Sequence, residues 1–180
     1  MSKDVLFTNG VIAVKETALL GARLLKLSEG TAEEAFRVLK ESGFGHGAEA
    51  ETVFETEKLL AADERDICAF VREYAPTNAD REYFLTPYDF HNAKAVFKAE
   101  KLGRSAADML APEGLLTYGE LEGAVKDKDY SAFCPELKSA FETAEGLYED
   151  EESEKKVSGA EIGRVFDSAM FNRLFKVCGK

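Results

Sequence analysis

Apolar residues along the chain recur mostly at spacings of three and four. One stripe runs Val53, Phe54, Leu60, Ala61, Ile67, Cys68 and Val71, the signature of an amphipathic helix. Alternating runs of strand type are nearly absent, so the pattern predicts an all-α, multi-helix protein. The predicted helices lie at about 11–28, 32–42, 49–75, 80–85, 87–102, 105–111, 118–126, 135–149 and 159–177. Capping chemistry places their starts. A side-chain oxygen at the cap accepts an orphan backbone N–H, and an acid three residues on accepts from the cap's own N–H. Thr31 with Glu34, Thr117 with Glu120 and Ser158 with Glu161 fit this box, and Ser105 with Asp108 is a weaker version. Thr86-Pro87-x-Asp89 adds a proline at the first helical position, where its missing N–H costs nothing. Gly30 and Gly43 stand at helix ends, Pro76 closes the long third helix, and Pro112-Glu113-Gly114 makes a turn.

The 180 residues suit one domain or two small lobes. Lys and Arg number 23 against 34 Asp and Glu, a formal net charge of −11. That balance argues against a nucleic-acid partner, because neutralising phosphate supplies most of such affinity. The longest uncharged stretches fall short of the ~20 apolar residues of a spanning helix. No direct membrane insertion is expected, and any link to a membrane goes through a partner. Cys68, Cys134 and Cys178 are odd in number and form no CxxC pair, which favours a reducing cytosol. The first residues carry no long apolar run of signal-peptide type. Between 139 and 154 stand seven acids and no base: Glu142, Glu145, Glu149, Asp150, Glu151, Glu152 and Glu154. This run reads as a solvated helix end and loop, with an acidic docking site as the alternative.

Catalytic signatures are sparse. Gly43-Phe44-Gly45-His46-Gly47 is glycine-rich, but a phosphate cradle needs a strand before it. A helix precedes it here, so a turn between helices is expected. His46 and His91 are the only histidines and have no ligand spacing around them, so neither a metal nor a cofactor is expected. No G-x-S-x-G elbow and no GxxxxGK[ST] loop occurs. The segment 85–104 is more informative. At about 100° per residue, His91, Lys94, Lys98 and Lys101 share one arc, with Arg104 beyond. Phe90, Ala93, Val96 and Phe97 share the neighbouring arc. Such a helix buries its Phe stripe and shows a basic ridge, which either meets an acidic partner or pairs with the protein's own acids. A short internal echo, Val53-Phe54-Glu55-Thr56 against Val165-Phe166-Asp167-Ser168, raises a duplicated helical unit beside simple coincidence.

The same segment carries a family resemblance. Tyr88-Asp89-Phe90-x-Asn92-x-Lys94, followed by Phe97-Lys98 and Gly103, resembles the Y-D-x-x-N-x-K helix of the C-subunit family of V-type and A-type ATPases, whose eukaryotic members are called d-subunits. Ala22-Arg23-Leu24-Leu25, Glu33-Glu34-Ala35 and Leu39-Lys40-Glu41-Ser42-Gly43-Phe44-Gly45 are similar to that family's first lobe. Leu110-Ala111-Pro112-Glu113-Gly114 resembles its l-x-P-G-l turn, and Glu161-Ile162 to Asp167-x-x-Met170-Phe171 its l-D-x-x-y/F helix. The likeness covers about residues 11–177.

The resemblance implies a funnel of three related helical lobes, of which 1–110 would be the first and 111–180 part of the second. Family members run close to twice this length, so a fragment or a shortened member is expected. It further implies a non-catalytic rotor subunit, cytoplasmic and peripheral to the membrane. Its partners would be the central axle subunits and the ion-carrying membrane ring. In that frame Asp89 helps cap its helix, Asn92 bonds to a neighbouring lobe, and Phe90 and Phe97 are core. A free-standing helical adaptor is the alternative, and an enzyme acting through His46 or His91 a third reading.

Overall fold

The computed structural model describes residues 4–17, 24–149 and 157–179. Among these the protein is all-α. Its helices are α1 (Val5–Thr17), α2 (Leu24–Glu29), α3 (Ala32–Glu41), α4 (Thr56–Tyr74), α5 (Asn78–Lys101), α6 (Tyr118–Asp127), α7 (Pro135–Glu149) and α8 (Gly159–Val177), with short 3₁₀ turns at Val53–Glu55 and Ala107–Met109. Three predicted capping boxes form in full. Glu34 N–H donates to Thr31 Oγ1 at 3.2 Å, and Thr31 N–H donates to Glu34 Oε2 at 2.9 Å. The Thr117–Glu120 and Ser158–Glu161 boxes repeat the pattern. The motif residues Ala22 and Arg23 lie outside the described residues, as do Asp150, Glu151, Glu152 and Glu154.

The chain divides into two compact units, Met1–Asn78 and Ala79–Lys180. In the first, Phe36, Ala50 and Leu59 form a small core with Phe44, Ala48 and Val53 against it. The glycine-rich turn is held on α4. Gly45 has φ +81, and a Cβ there would stand 2.8 Å from Leu59 Cδ2, so only glycine allows this approach. His46, also left-handed at φ 50, places its Nε2 3.3 Å from carboxylate oxygens of both Asp63 and Asp66. Lys15 of α1 bonds Asp66 at 2.6 Å, and Thr8 Oγ1 donates to Tyr74 O at 2.8 Å.

The second unit holds the larger core. Phe97 of α5, Phe141 of α7 and Phe166 of α8 are fully enclosed. Their ring centroids lie 5.1–6.2 Å apart, and Tyr130 stacks on Phe141 at 4.4 Å. Each such ring contributes about 1.5–3 kcal/mol by leaving water. Phe90 and Phe97 are thus core residues.

Several sequence expectations need correction. Residues 80–85 and 87–102 are one helix, with Pro87 inside it. Proline there removes the N–H that would bond the carbonyl of Tyr83. Tyr83 is exposed, so water can take that carbonyl, while buried Leu85, Thr86, Asp89 and Phe90 hold the helix across the break. Thr86 is consequently an interior residue and no cap. The 105–111 helix is only the 3₁₀ turn Ala107–Met109, because Ser105 Oγ accepts from Ala107 N–H two residues on and makes a local turn. Residues 49–51 precede the helical segment instead of joining it, and α1 begins at Val5. The internal echo is not structural: Phe54 is 93% exposed in a 3₁₀ turn, whereas Phe166 is enclosed in mid-helix.

Candidate interface along helix α5

The polar residues of the Tyr88-Asp89-x-x-Asn92 motif face the chain segment 109–118. Asn92 has no exposed surface. Its Oδ1 accepts from Ala111 N–H at 2.8 Å, and its Nδ2 donates to Ala111 O and Pro112 O, both at 3.2 Å. One amide therefore satisfies three backbone groups. Asp89, also buried, accepts from Leu116 N–H at 2.9 Å. It does not cap its own helix, because α5 runs unbroken through its position. Tyr118 adds a bond from its hydroxyl to Ala111 O at 2.7 Å, and its N–H donates to Glu113 Oε1 at 3.1 Å. His91 Nε2 lies 3.0 Å from Met109 O. Buried backbone groups require partners, and α5 supplies them for this segment. The motif thus fixes a turn in place. The residues that Asn92 bonds, Ala111 and Pro112, belong to the same compact unit as Asn92 itself.

The basic side chains on α5 meet different surroundings. Lys94 bonds Asp167 of α8 at 2.7 Å. Lys101 turns into the seam with α7, where it bonds Glu145 at 2.6 Å, with only 14% and 11% of the two side chains exposed. Its ammonium also lies 5.1 Å from the Phe97 ring centroid and 5.2 Å from that of Tyr148, a favourable cation–π geometry. Tyr130 OH donates to the same Glu145 at 3.0 Å. Burial, and then this bond to a carboxylate, raise the Tyr130 phenol well above the ordinary tyrosine value. Arg104 is exposed beside Glu122 and Lys126. Lys98 is half-buried.

The acidic run is correspondingly less uniform than its composition. Glu145 is a buried anchor, and Glu149 is bonded to Lys128. A second charged cluster was not singled out in the sequence. Arg173 of α8 pairs with Glu82 of α5 and lies 3.7 Å from Glu136 of α7, while Lys176 also bonds Glu136. Burial pushes the Glu136 carboxyl up. The Lys176 bond, the residue's own N–H and the two nearby cations outweigh this and hold it below the usual range. No spacing signal ties these residues together; only the seating of α8 against α5 and α7 does.

Among the described residues no group of three or more His, Cys, Asp or Glu side chains is placed to hold a metal ion. Among them, too, no helix is long and apolar enough to cross a membrane. The geometry defines an α-helical unit assembled around a pinned turn, with α5 fastened to the 109–118 segment, α7 and α8. The family model described as ATP synthase (C/AC39) subunit matches residues 8–180, and the chain belongs to that family. No curated protein and no solved structure matches it.

Proposed function

We propose that this protein is a non-catalytic central-stalk component of a V/A-type ATPase, coupling the ATP-processing head to the ion-carrying membrane ring from the cytoplasmic side. The observation that carries the reading is the family match over residues 8–180. The physics of the second unit supports it. A torque coupler must resist deformation, and close-packed interiors have low compressibility. The ring cluster of Phe97, Phe141 and Phe166, the Lys101–Glu145 pair and the Asn92 amide tie α5, α7, α8 and the 109–118 segment into one body. The partners are the axle subunits and the membrane ring. Docking would use the basic stretch that carries His91 and Lys98 on α5 and Arg104 just beyond its end, where complementary charge governs encounter and register. The test is co-expression of the full chain with the remaining ATPase subunits, followed by purification through a tag on one of the axle subunits. Stoichiometric recovery of this chain is expected. Its absence from an otherwise assembled complex would refute the role.

A further inference from the structure

Lys98 differs from its neighbours on α5. Lys94, one turn before it, is paired with Asp167, and Lys101, one turn after it, with Glu145. Lys98 itself has no hydrogen bond or ion pair among the described residues, although it is half-buried. Its ammonium lies across α8 at Gly163, a buried position where a Cβ would stand 3.4 Å from Lys98 Nζ and 4.0 Å from Lys94 Cδ. The lysine chains thus cover a helix face left bare of side chain. The acid that bears on Lys98 is Asp167, which Lys94 already engages. Burial, and next the like charge of Lys94, hold the Lys98 ammonium below the ordinary lysine range, with Asp167 opposing in part. Arg164, adjacent to Gly163 on α8, is exposed and has no ion pair among the described residues.

A partly desolvated cation without a counter-ion costs the fold stability. Sites that depart from the stability optimum in this way are where function is expected. In a chain of net charge −11, a locus with more cations than acids is also the natural seat for an acidic group. Lys94 is already neutralised, so the unmatched charge is small. It suits one or two carboxylates better than a polyanion.

We propose that the α5/α8 seam at Lys98 is a docking site for a carboxylate-bearing segment of another ATPase subunit, an Asp or Glu of that partner set against the Lys98 ammonium, with the exposed Arg164 of α8 adding to the local positive charge. The inference rests on the central-stalk reading and adds the contact to it. Lys98 is a recognition residue and Lys94 a structural one.

Two variants of the full chain separate these roles. Lys98→Met keeps the stem and removes the charge, so it should melt at or above the wild-type temperature, whereas Lys94→Met should melt lower through loss of the Asp167 pair. Lys98→Glu should weaken binding to the purified axle-and-ring subcomplex by about tenfold or more, and added salt should weaken wild-type binding. If the wild type binds and both Lys98 variants bind equally well, this inference fails while the central-stalk reading stands. If the wild type itself does not bind, both fail. A fall in melting temperature for Lys98→Met as large as that for Lys94→Met would show that Lys98 serves the chain's own fold, and would overturn the proposal.

Discussion

The Asp89 carboxylate fills the space that a side chain at Gly114 would need. A Cβ built on Gly114 would lie 2.3 Å from Asp89 Oδ1 and 2.5 Å from the carbonyl oxygen of Leu85. The turn after Pro112 is pressed against α5 so closely that the Leu116 N–H reaches the Asp89 carboxylate on the helix. Gly114→Ala must therefore push the turn away from Asp89. Overpacking of this kind costs about 1–3 kcal/mol, and urea unfolding should show a loss of that size. A wild-type midpoint for Gly114→Ala would mean the turn is not seated on α5.

Asn92 is the second pin, and its removal should be felt as a loss of stability. Asn92→Leu keeps comparable bulk but leaves the Ala111 N–H and the Pro112 carbonyl without their Asn92 partner, while the Ala111 carbonyl keeps the Tyr118 hydroxyl. Each buried group left unsatisfied costs about 1–3 kcal/mol. Amide hydrogen exchange should show the Ala111 N–H losing protection well before those of the α7 core. Unchanged protection there would rule out the pinning role.

Lys101 and Glu145 form a nearly buried pair, further loaded by Tyr130 and Lys128. Breaking it from one side leaves the other charge in a poor solvent, at about 3–5 kcal/mol in such settings. Lys101→Met and Glu145→Gln should each destabilise strongly, and the two changes combined should cost less than the sum of the single changes. A double-mutant cycle on thermal unfolding reads the coupling. Additive losses would show that the pair contributes nothing as a pair.

Acid should weaken both units through carboxylates bound more tightly as anions in the folded state. In the first unit, the Lys58 ammonium and then the N–H groups of Glu51 and Thr52 lower Glu55 from 4.5 to about 2. In the second, Glu136 is held below its ordinary value by Lys176, its own N–H and Arg173 against the pull of burial. The unfolded chain binds these protons more readily than the folded one. The stabilisation is therefore fully present above about 4.5 and is lost as pH falls through the lower folded values. For Glu55 the window runs from about 4.5 to about 2. Urea midpoints between pH 7 and pH 3 should fall, and Glu136→Gln should flatten the fall. An unaltered slope in Glu136→Gln would exclude that residue as a source.

Local chemistry explains why much of this fold is readable from the chain. The boxes at Thr31, Thr117 and Ser158 act within four residues, so their sequence signal and their hydrogen bonds coincide. Pro87 misleads because burial on both sides of it outweighs a local helix-breaking tendency. The Asp89 carboxylate misleads for the same reason: its partner, Leu116 N–H, is brought to it by tertiary packing. Acids of one run are equivalent in composition, yet Glu145 is buried and Glu142 is exposed, since only the first faces Lys101 across the α5/α7 seam. The Glu82–Arg173–Glu136–Lys176 cluster joins three helices and leaves no periodic trace.

Coupling of ATP turnover to ion movement tests the central claim most directly. Vesicles carrying the reconstituted ATPase, with and without this chain, would be followed for both phosphate release and ion uptake. The account predicts that omission leaves ATP hydrolysis in the head but abolishes ATP-driven uptake, and that adding the purified chain restores it. Undiminished ion uptake in vesicles lacking the chain would contradict it.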